Sequence, residues 1–213
     1  MLQAELLASD PSLVHGFTTR TLSDDWPAIC RHVGALGVAR AAQVHGAGVL
    51  LATAPGPLGD GDAVVVTEPG LLAAVRVADC VPILLAGPGV VAAVHAGWRG
   101  TVALIAAEAV RRVCEVGSCE PDALRAVIGP CIAQASYEVG QEVLDAVRAV
   151  TDAPVIQGRH VDLKATNAAL LRAAGVSRVQ VLPEDTFTDP RFWSFRREGA
   201  AAGRQVGFIG LRS

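Results

Sequence analysis

The sequence has few aromatic and few charged residues for its length. Phe, Trp and Tyr make up 4% of the 213 residues and the charged residues 18%, whereas 51% are hydrophobic. Large rings therefore cannot fill the interior, which must be packed mainly with Val, Leu, Ile and Ala. A chain of this length and apolar content can bury a full core, so we expect one compact domain over residues 1–213.

Excess positive charge is also absent. The formal net charge is −3 at pH 7, whereas an extended nucleic-acid surface needs clustered positive charge to neutralise phosphates. The composition thus argues against nucleic-acid binding. Four arginines do cluster near the C-terminal end: Arg191, Arg196, Arg197 and Arg204. Such a cluster suits a small phosphorylated or carboxylated ligand, and it equally suits a solvated edge of the fold.

Long uninterrupted apolar runs and paired cysteines are missing as well. The most apolar region, residues 71–97, is broken by charged residues and prolines, which argues against a membrane helix of ~20 apolar residues. The first ten residues include Glu5 and no basic cluster, so we expect no secretory signal there. The five cysteines form no CxxC motif, which is typical of a reducing cytoplasm. We therefore expect a soluble, cytoplasmic protein.

No nucleotide-binding glycine motif occurs, neither GxGxxG after a strand nor GxxxxGK[ST]. Strand-length apolar runs dominate the first half, and helical periodicity alternates with strands in the second half. This order predicts an α/β or α+β domain with mixed sheets rather than a doubly wound fold. Strands are predicted at residues 13–19, 42–52, 63–67, 71–77, 81–86, 90–95, 124–132, 178–182 and 205–211. Helices are predicted at residues 24–36, 100–116, 138–150 and 162–174.

Several details of these elements can be predicted from local signals. Asp24 or Asp25 is expected to cap the first helix and Asp162 the last, because Asp favours the N-cap position. Residues 54–62 contain three glycines and two prolines and are expected to form a surface loop. The short EPG and GPG loops that follow suggest antiparallel pairing of the neighbouring strands.

The stretch VVAAVHAGWRGT, residues 90–101, combines the strongest chemical signals of the chain. An apolar strand delivers His95 to its end, and glycines then allow a tight turn. Arg99 is a permanent cation, and Thr101 is a candidate cap for the next helix. Together they indicate an anion pocket at a helix N-terminus. The plainer interpretation is a buried, hydrogen-bonded histidine followed by an ordinary strand-to-helix turn.

His45, Cys80 and His95 share one setting, because each ends or interrupts an apolar strand. Two imidazoles and one thiolate suit Zn²⁺, and three protein ligands leave a fourth position open, as in catalytic zinc sites. The unequal, wide spacing excludes a zinc finger or ribbon. Gln43 near His45 and Asp79 beside Cys80 are candidates to orient these ligands. Gln43 is also a candidate substrate-binding residue.

At these motifs the chain closely resembles the bacterial YfiH/YlmD family, whose members are also called laccase-domain or polyphenol oxidase proteins. The resemblance rests on Gln43-Val-His-Gly, on Ala78-Asp-Cys-Val-Pro and on His95-Ala-Gly-Trp-Arg-Gly-Thr. It implies a four-layer αββα domain of the α+β class, with zinc bound by His45, Cys80 and His95. The activities it implies are phosphorolysis of adenosine, inosine and methylthioadenosine, and deamination of adenosine.

The resemblance also suggests roles for individual residues. Arg99 with Arg20 would align phosphate for attack at C1′ of the ribose, and zinc would activate a water for attack at C6 of adenine. Asp62 is a candidate to hydrogen-bond ribose or move a proton, although an aspartate after glycine is commonly a turn former. Tyr137 and Arg196 or Arg197 are candidates to line the purine pocket, or are structural.

Three positions depart from the family pattern. Arg20 is followed by TLSDD where a glycine pair is usual, which questions phosphate binding by Arg20. Asp185-Thr186 stands where Cys-Thr is usual, and Ser136 stands where a cysteine often precedes Tyr-Glu. These changes are expected to alter substrate choice or weaken activity.

Four other interpretations compete with a zinc nucleoside enzyme. A multicopper laccase needs many histidines in HxH pairs, and the five histidines here include no such pair. A cysteine hydrolase would use Cys80 as nucleophile and His95 as base. Copper could occupy the site in place of zinc, because both bind imidazole and thiolate. The protein could also be an inactive zinc-binding protein. The preferred nucleoside, and whether the chain is a monomer or small homo-oligomer, stay open.

Overall fold

Two mixed β-sheets lie face to face in the computed structural model, which describes residues 1–213. The first sheet has five strands in the order β1-β13-β6-β2-β4, and the second has six in the order β12-β9-β7-β8-β5-β3. A two-stranded hairpin, β10-β11, stands apart. The strands are β1 Leu13–Phe17, β2 Gly37–Ala42, β3 Val49–Ala52, β4 Gly56–Asp60, β5 Ala63–Val66, β6 Leu71–Val77, β7 Val81–Gly87, β8 Val90–Ala96, β9 Arg125–Ile128, β10 Ile156–Gln157, β11 His160–Val161, β12 Arg178–Val181 and β13 Gln205–Leu211.

Helices cover the outer faces of both sheets. Three apolar clusters mark the interfaces: one under α2, one between the sheets, and one between the second sheet and helices α4 to α6. The molecule is therefore a four-layer α+β domain with mixed sheets, as the family resemblance implied. The helices are α1 Glu5–Ala8, α2 Trp26–Val33, α3 Trp98–Val102, α4 Ile105–Gly117, α5 Gln141–Arg148, α6 Leu163–Ala173 and α7 Phe195–Glu198.

Strand β8 is buried along its whole length because it is central in its sheet and covered on both faces. Its continuous apolar sequence is typical of such a strand. Val91 and Ala93 pack into the cluster between the two sheets. Because alternate residues of a strand face the same side, His95 is directed into the same gap, at its open end.

The prediction of a strand over residues 42–52 is wrong for the first half of that segment. Strand β2 already ends at Ala42 and β3 begins at Val49, so Gln43 and His45 lie in a loop. His45 adopts the left-handed region with φ of 62°, which no strand residue does. The predicted surface loop at residues 54–62 contains strand β4, which pairs in parallel with β2.

Three further expectations need correction. The EPG loop joins β5 to β6, which belong to different sheets and do not pair, whereas the GPG loop does join the antiparallel strands β7 and β8. The helix expected over residues 100–116 is broken into α3 and α4 at Leu104, whose φ is 63°. Thr101 is buried inside α3 rather than capping it, and Gly97 occupies the N-cap position.

Several boundaries follow from capping. Asp25 accepts a hydrogen bond from the amide of Ala28 and caps α2, and Asp162 caps α6 in the same way through Ala165, which confirms both expectations. The strand predicted at 124–132 ends at Ile128, and the helix predicted at 138–150 is the shorter α5. None of the helices is both long and apolar enough to cross a membrane.

Candidate functional site

Three separate segments bring His45, Cys80 and His95 together at one end of the gap between the sheets. His95 lies near the end of β8, Cys80 lies in the turn between β6 and β7, and His45 lies in the loop over residues 43–48. Their ligand atoms all lie within 4.8 Å of one another. The two imidazole rings meet edge to face, with centroids 4.8 Å apart. The predicted metal-binding trio is therefore one cluster, with two nitrogen donors and one sulfur donor.

Asp62 forms hydrogen bonds with the segments that carry both histidines. Its carboxylate is fully buried and lies 2.8 Å from His95 Nδ1. It also accepts hydrogen bonds from the backbone amides of His45 at 2.9 Å and Gly46 at 2.7 Å. A carboxylate on one ring nitrogen of a metal-binding histidine fixes the ring and leaves the other nitrogen for the metal. The ribose contact considered for Asp62 does not fit this position, because the side chain has no access to the cavity.

Glycine at position 97 is a packing requirement of the cluster. A Cβ at this position would lie 3.1 Å from Cys80 Sγ and 3.1 Å from His45 Cδ2. A larger residue would therefore require Cys80 Sγ and the His45 ring to shift by a few tenths of an ångström. This contact explains one glycine of the HAGWRG motif, which the sequence suggested only as a turn former.

The cluster is strongly polarised. Burial alone would raise the pKa of the Cys80 thiol, but hydrogen bonds from His45 and His95 outweigh burial and lower it to about 6. Burial disfavours the charged form of His95, but its contacts with Asp62 and Cys80 raise its pKa to about 9. Burial likewise opposes ionisation of Asp62, yet the hydrogen bond with His95 and those from the loop amides lower its pKa. Near pH 7 the metal-free cluster is thus a thiolate beside an imidazolium.

Asp79 and Gln43 form hydrogen bonds with segments of the cavity wall rather than with the three candidate metal ligands. Asp79 accepts hydrogen bonds from the Thr186 hydroxyl at 2.7 Å, the Ser194 hydroxyl at 3.0 Å and the Arg196 amide at 2.7 Å. These bonds fasten the C-terminal segment to the Cys80 turn. The Gln43 amide exchanges two hydrogen bonds with the backbone of Arg76, at 2.7 and 2.8 Å, and so anchors the 43–48 loop to β6.

A cavity of about 530 Å³ opens onto the three ligands. Its apolar wall includes Tyr137, as expected, and the half-exposed ring of Phe195, which the sequence analysis did not single out. Burial raises the pKa of Tyr137 to about 12, so its hydroxyl stays protonated. Three arginines are also among the residues that line the cavity: Arg76, Arg196 and Arg204. The cavity thus combines an apolar surface for a ring with positive charge for an anion.

Arg76 was missed as a site residue, although its sequence context carried a signal. It is the only charged residue of the otherwise apolar strand β6, four positions before Cys80. Arg204 was noted only as a member of the C-terminal arginine cluster. Its place in the cavity depends on the pairing of β13 with β6, which the sequence does not reveal.

Arg20 lies outside the cavity wall and is fully engaged elsewhere. It pairs with Glu198, donates to the carbonyl of Phe192 at 2.9 Å, and stacks on Trp193 at 4.1 Å. The expectation that Arg20 aligns phosphate at the site does not fit this position. Arg197 is similarly occupied by backbone carbonyls, with Phe187 at 2.5 Å and Phe192 at 2.6 Å.

Arg99 is exposed and forms no ion pair, but its guanidinium stacks 4.3 Å above the ring of Trp98. It does not line the cavity, although it lies close enough to Tyr137 to favour ionisation of that hydroxyl slightly. Arg196 stacks 5.3 Å over Tyr137 and donates to the Glu138 carbonyl at 3.0 Å. Of the two arginines suggested for the purine pocket, Arg196 is therefore the one in the wall.

Two of the unusual positions contact each other. The Ser136 hydroxyl donates to Asp185 at 2.7 Å, and Asp185 also accepts from the Ala133 amide at 3.0 Å. The two residues that replace the expected cysteines thus form one hydrogen-bonded pair. The pair connects the segment before Tyr137 to the segment that Asp79 holds.

The fold matches solved structures over almost the whole chain. The crystal structure of YlmD from Geobacillus stearothermophilus matches with a TM-score of 0.88 at 27% identity, covering 99% of this chain and 94% of that one. The crystal structure of the Bacillus licheniformis hypothetical protein YfiH matches with a TM-score of 0.85 at 26% identity, covering 94% of this chain and 93% of that one.

Named relatives match over somewhat less of the chain. A purine nucleoside phosphorylase of Deinococcus radiodurans is 42% identical over 179 residues, which is 81% of this chain and 70% of that protein. Adenosine deaminase RL5, from an unknown prokaryotic organism, is 38% identical over 156 residues, which is 67% of this chain and 59% of that protein. The family model described as multi-copper polyphenol oxidoreductase laccase matches residues 22–212. With a family model matched over residues 22–212 and the likeness to the YlmD and YfiH structures, the chain belongs to the laccase-like YfiH family.

Proposed function

We propose that this protein is a zinc-dependent purine nucleoside phosphorylase. The observation that carries the proposal is the cluster of two imidazoles and one thiolate, facing a cavity lined by both aromatic and cationic side chains. The relative from Deinococcus radiodurans bears the name purine nucleoside phosphorylase, which supports the same activity. Adenosine, inosine and methylthioadenosine are the proposed substrates, together with phosphate.

The donor set suits zinc. Zinc binds neutral imidazole and thiolate in tetrahedral sites, and three protein ligands leave one position for substrate or solvent. The carboxylate under His95 is the arrangement that holds a zinc-binding histidine in place. When bound, zinc would supply a Lewis acid at the floor of the cavity.

The residues of this chain have distinct roles in the proposed reaction. The C1′–N bond to the purine breaks and a bond from C1′ to a phosphate oxygen forms, so the site must hold a flat apolar base beside an anion. Tyr137 and Phe195 offer aromatic surface for the base. The arginines of the cavity wall balance the charge of phosphate. Asp62 acts through His95 as a positioning residue.

Adenosine deamination is a second candidate activity of the same site. The relative that is 38% identical to this chain is named an adenosine deaminase. Deamination requires a zinc-activated water but no phosphate, so the two activities are separated by their phosphate requirement. The cavity offers both an open metal position and cationic side chains.

The test combines metal analysis with a chromatographic assay. Purified protein is assayed for metal, and adenosine, inosine and methylthioadenosine are incubated with and without phosphate. About one zinc per chain and phosphate-dependent release of free base support the proposal. His95→Ala and Cys80→Ser should both lose metal and activity, whereas His32→Ala and Cys30→Ser, at positions outside the cavity, should retain them.

Other results would redirect the assignment. Inosine formed from adenosine without phosphate identifies a deaminase, and copper in place of zinc with oxidation of phenols identifies an oxidase. A metal-free protein with a reactive Cys80 favours a cysteine hydrolase, because a thiolate bound to zinc is not free to attack. Bound zinc without turnover of any nucleoside identifies an inactive binding protein.

A further inference from the structure

Arg76 and Arg204 lie side by side on neighbouring strands at the cavity wall. In the antiparallel pairing of β13 with β6, Val206 is opposite Arg76 and Gln205 is opposite Val77. Continuing this register by one residue sets Arg204 beside Ala78. Residues two apart on a strand share a face, so the side chains of Arg76 and Arg204 lie diagonally on one face. Both line the cavity that opens onto the metal ligands.

Of the two guanidinium groups, Arg204 forms no ion pair and Arg76 forms one with a partly exposed carboxylate. Arg204 uses Nη1 to donate to the carbonyls of Ala202 at 2.7 Å and Gly203 at 2.9 Å, and it forms no ion pair. The one acidic partner of Arg76 is Asp24, at 3.6 Å, with its own side chain 37% exposed. Like charges on adjacent strands repel. Two adjacent arginines with free N–H groups therefore form a site that an anion would complete.

The backbone that presents Arg204 is tightly held. The Ser23 hydroxyl donates to the Arg204 carbonyl at 2.6 Å and accepts from Trp193 Nε1 at 3.2 Å. Gly203 packs against the Trp193 ring so closely that a Cβ there would lie 2.6 Å from it. The side-chain amide of Gln205 exchanges two hydrogen bonds with the Trp193 backbone, at 2.8 and 3.1 Å. Arg204 thus starts from a rigid base, as a binding residue should.

The unusual TLSDD segment after Arg20 supplies part of this support. Ser23 holds the backbone of Arg204, and Asp24 is the carboxylate nearest to Arg76. Arg20 itself is turned away from the cavity by its contacts with Glu198 and Trp193. The segment that replaces the expected glycine pair therefore contacts both Arg76 and Arg204.

We infer that Arg76 and Arg204 together form the phosphate subsite of the cavity, in place of Arg20. The inference rests on the proposed function, in which phosphate is the co-substrate. The chemistry recognised is a phosphate group, which can come from inorganic phosphate or from the phosphate ester of a nucleoside 5′-monophosphate. Phosphate offers several oxygens to the two guanidinium forks, which suits bidentate contacts.

The test is calorimetric titration of zinc-loaded and metal-free protein with inorganic phosphate and, separately, with adenosine 5′-monophosphate. The variants are Arg76→Gln, Arg204→Gln and Arg204→Lys, and Arg172→Gln on α6 is the matched control. Each glutamine variant should weaken phosphate binding roughly tenfold or more, because it removes hydrogen bonds to a charged group. Arg204→Lys should retain part of the affinity, since it keeps the charge but loses the planar fork. The control should bind like the wild type.

Kinetics separates this inference from the proposed function. In the phosphorolysis assay the glutamine variants should raise KM for phosphate by a similar factor, with KM for the nucleoside changed less than about threefold. Phosphate binding that is unchanged in both glutamine variants would overturn the inference, even if the wild type cleaves nucleosides. Loss of phosphate binding in these variants, in a protein that cleaves no nucleoside, would overturn the proposed function and leave the subsite intact.

The two ligands identify the source of the phosphate group. If inorganic phosphate binds through the two arginines and the monophosphate does not, the subsite serves the co-substrate. Tighter binding of the monophosphate, lost in the same variants, assigns the subsite to a phosphate ester. Circular dichroism and the midpoint of urea unfolding establish that each variant is folded, so a loss of binding reports on the subsite itself.

Discussion

Beside the metal ligands the carboxylate of Asp62 is fully buried and bonded to His95 and to three loop amides. On the cavity wall, by contrast, Arg204 forms no ion pair and Arg76 pairs only with the partly exposed Asp24. The metal-ligand side satisfies its polar groups within the protein. The arginine side leaves N–H groups free on a rigid backbone. The comparison shows that the polar groups of one side are satisfied within the protein before any substrate binds. The N–H groups of the other side are left to be satisfied by a ligand.

The largest expected effect concerns the ionisation of Cys80 in metal-free protein. Its pKa is lowered to about 6, against about 8.5 for an ordinary thiol, so the reactive thiolate should persist down to about pH 6. The rate of alkylation by iodoacetamide should therefore reach half its maximum near pH 6 and fall below it. Subtracting the rate of Cys80→Ser isolates this residue from the other four cysteines. A half-maximum near pH 8 or above would mean that the histidines do not polarise the thiol.

Asp62→Asn should weaken metal binding at the metal-ligand side of the cavity. The change keeps the shape but removes the charge that orients His95, so zinc affinity should fall roughly 10- to 100-fold. Competition with a chromogenic chelator measures the affinity. Asp60→Asn, two residues earlier and exposed, is the control and should bind zinc normally. Equal affinities for the two variants would show that Asp62 does not support the ligand.

Gly97→Ala should perturb the same side by geometry alone. The added methyl group would lie 3.1 Å from both Cys80 Sγ and His45 Cδ2, so the two ligands must move by a few tenths of an ångström. We expect zinc affinity to fall several-fold, by less than for Asp62→Asn. Gly140→Ala is the matched control, because a Cβ there meets no atom within 4 Å. Both affinities are measured by chelator competition, and a normal value for Gly97→Ala would refute the packing argument.

The smallest effect is expected from Ser136→Ala, outside the metal cluster. The hydroxyl donates one hydrogen bond to Asp185, and losing it should lower the free energy of unfolding by about 1 kcal/mol. Urea unfolding measures this change, and exposed Ser177→Ala should leave stability unchanged. Zinc affinity should be the same in both variants. A lower zinc affinity of Ser136→Ala would instead show that the hydrogen bond between Ser136 and Asp185 supports the metal ligands.

The sequence predicted the parts of the molecule that depend on local patterns. The apolar run before His95 predicted a buried strand, and every residue of β8 is indeed buried. A strand covered on both faces needs apolar side chains throughout, and the sequence shows this pattern directly. Asp25 and Asp162 were predicted as caps because an N-cap needs only a side chain three residues before the amide it bonds. The residues of the metal cluster were found from their types and from the family resemblance.

The parts that depend on long-range contacts could not be predicted. The 43–48 loop is bonded through its amides to the carboxylate of Asp62, which follows strands β3 and β4 in the chain. This long-range contact leaves no local signal, so the sequence pattern there resembled a strand. The diagonal placement of Arg76 and Arg204 depends on a strand register between distant segments. Arg20 matched the family motif, but Glu198 and Trp193 hold it elsewhere.

The buried carboxylate of Asp62 also links the metal ligands to the pairing of two strands. Its partners belong to the 43–48 loop and to β8, and the amide of His95 bonds to its backbone carbonyl at 2.7 Å. The geometry of the three ligands therefore depends on the pairing of β5 with β8, and we expect them to converge after this non-local step of folding. We expect zinc to bind the folded domain rather than to initiate its folding. Bound zinc should therefore slow unfolding and leave the refolding rate unchanged.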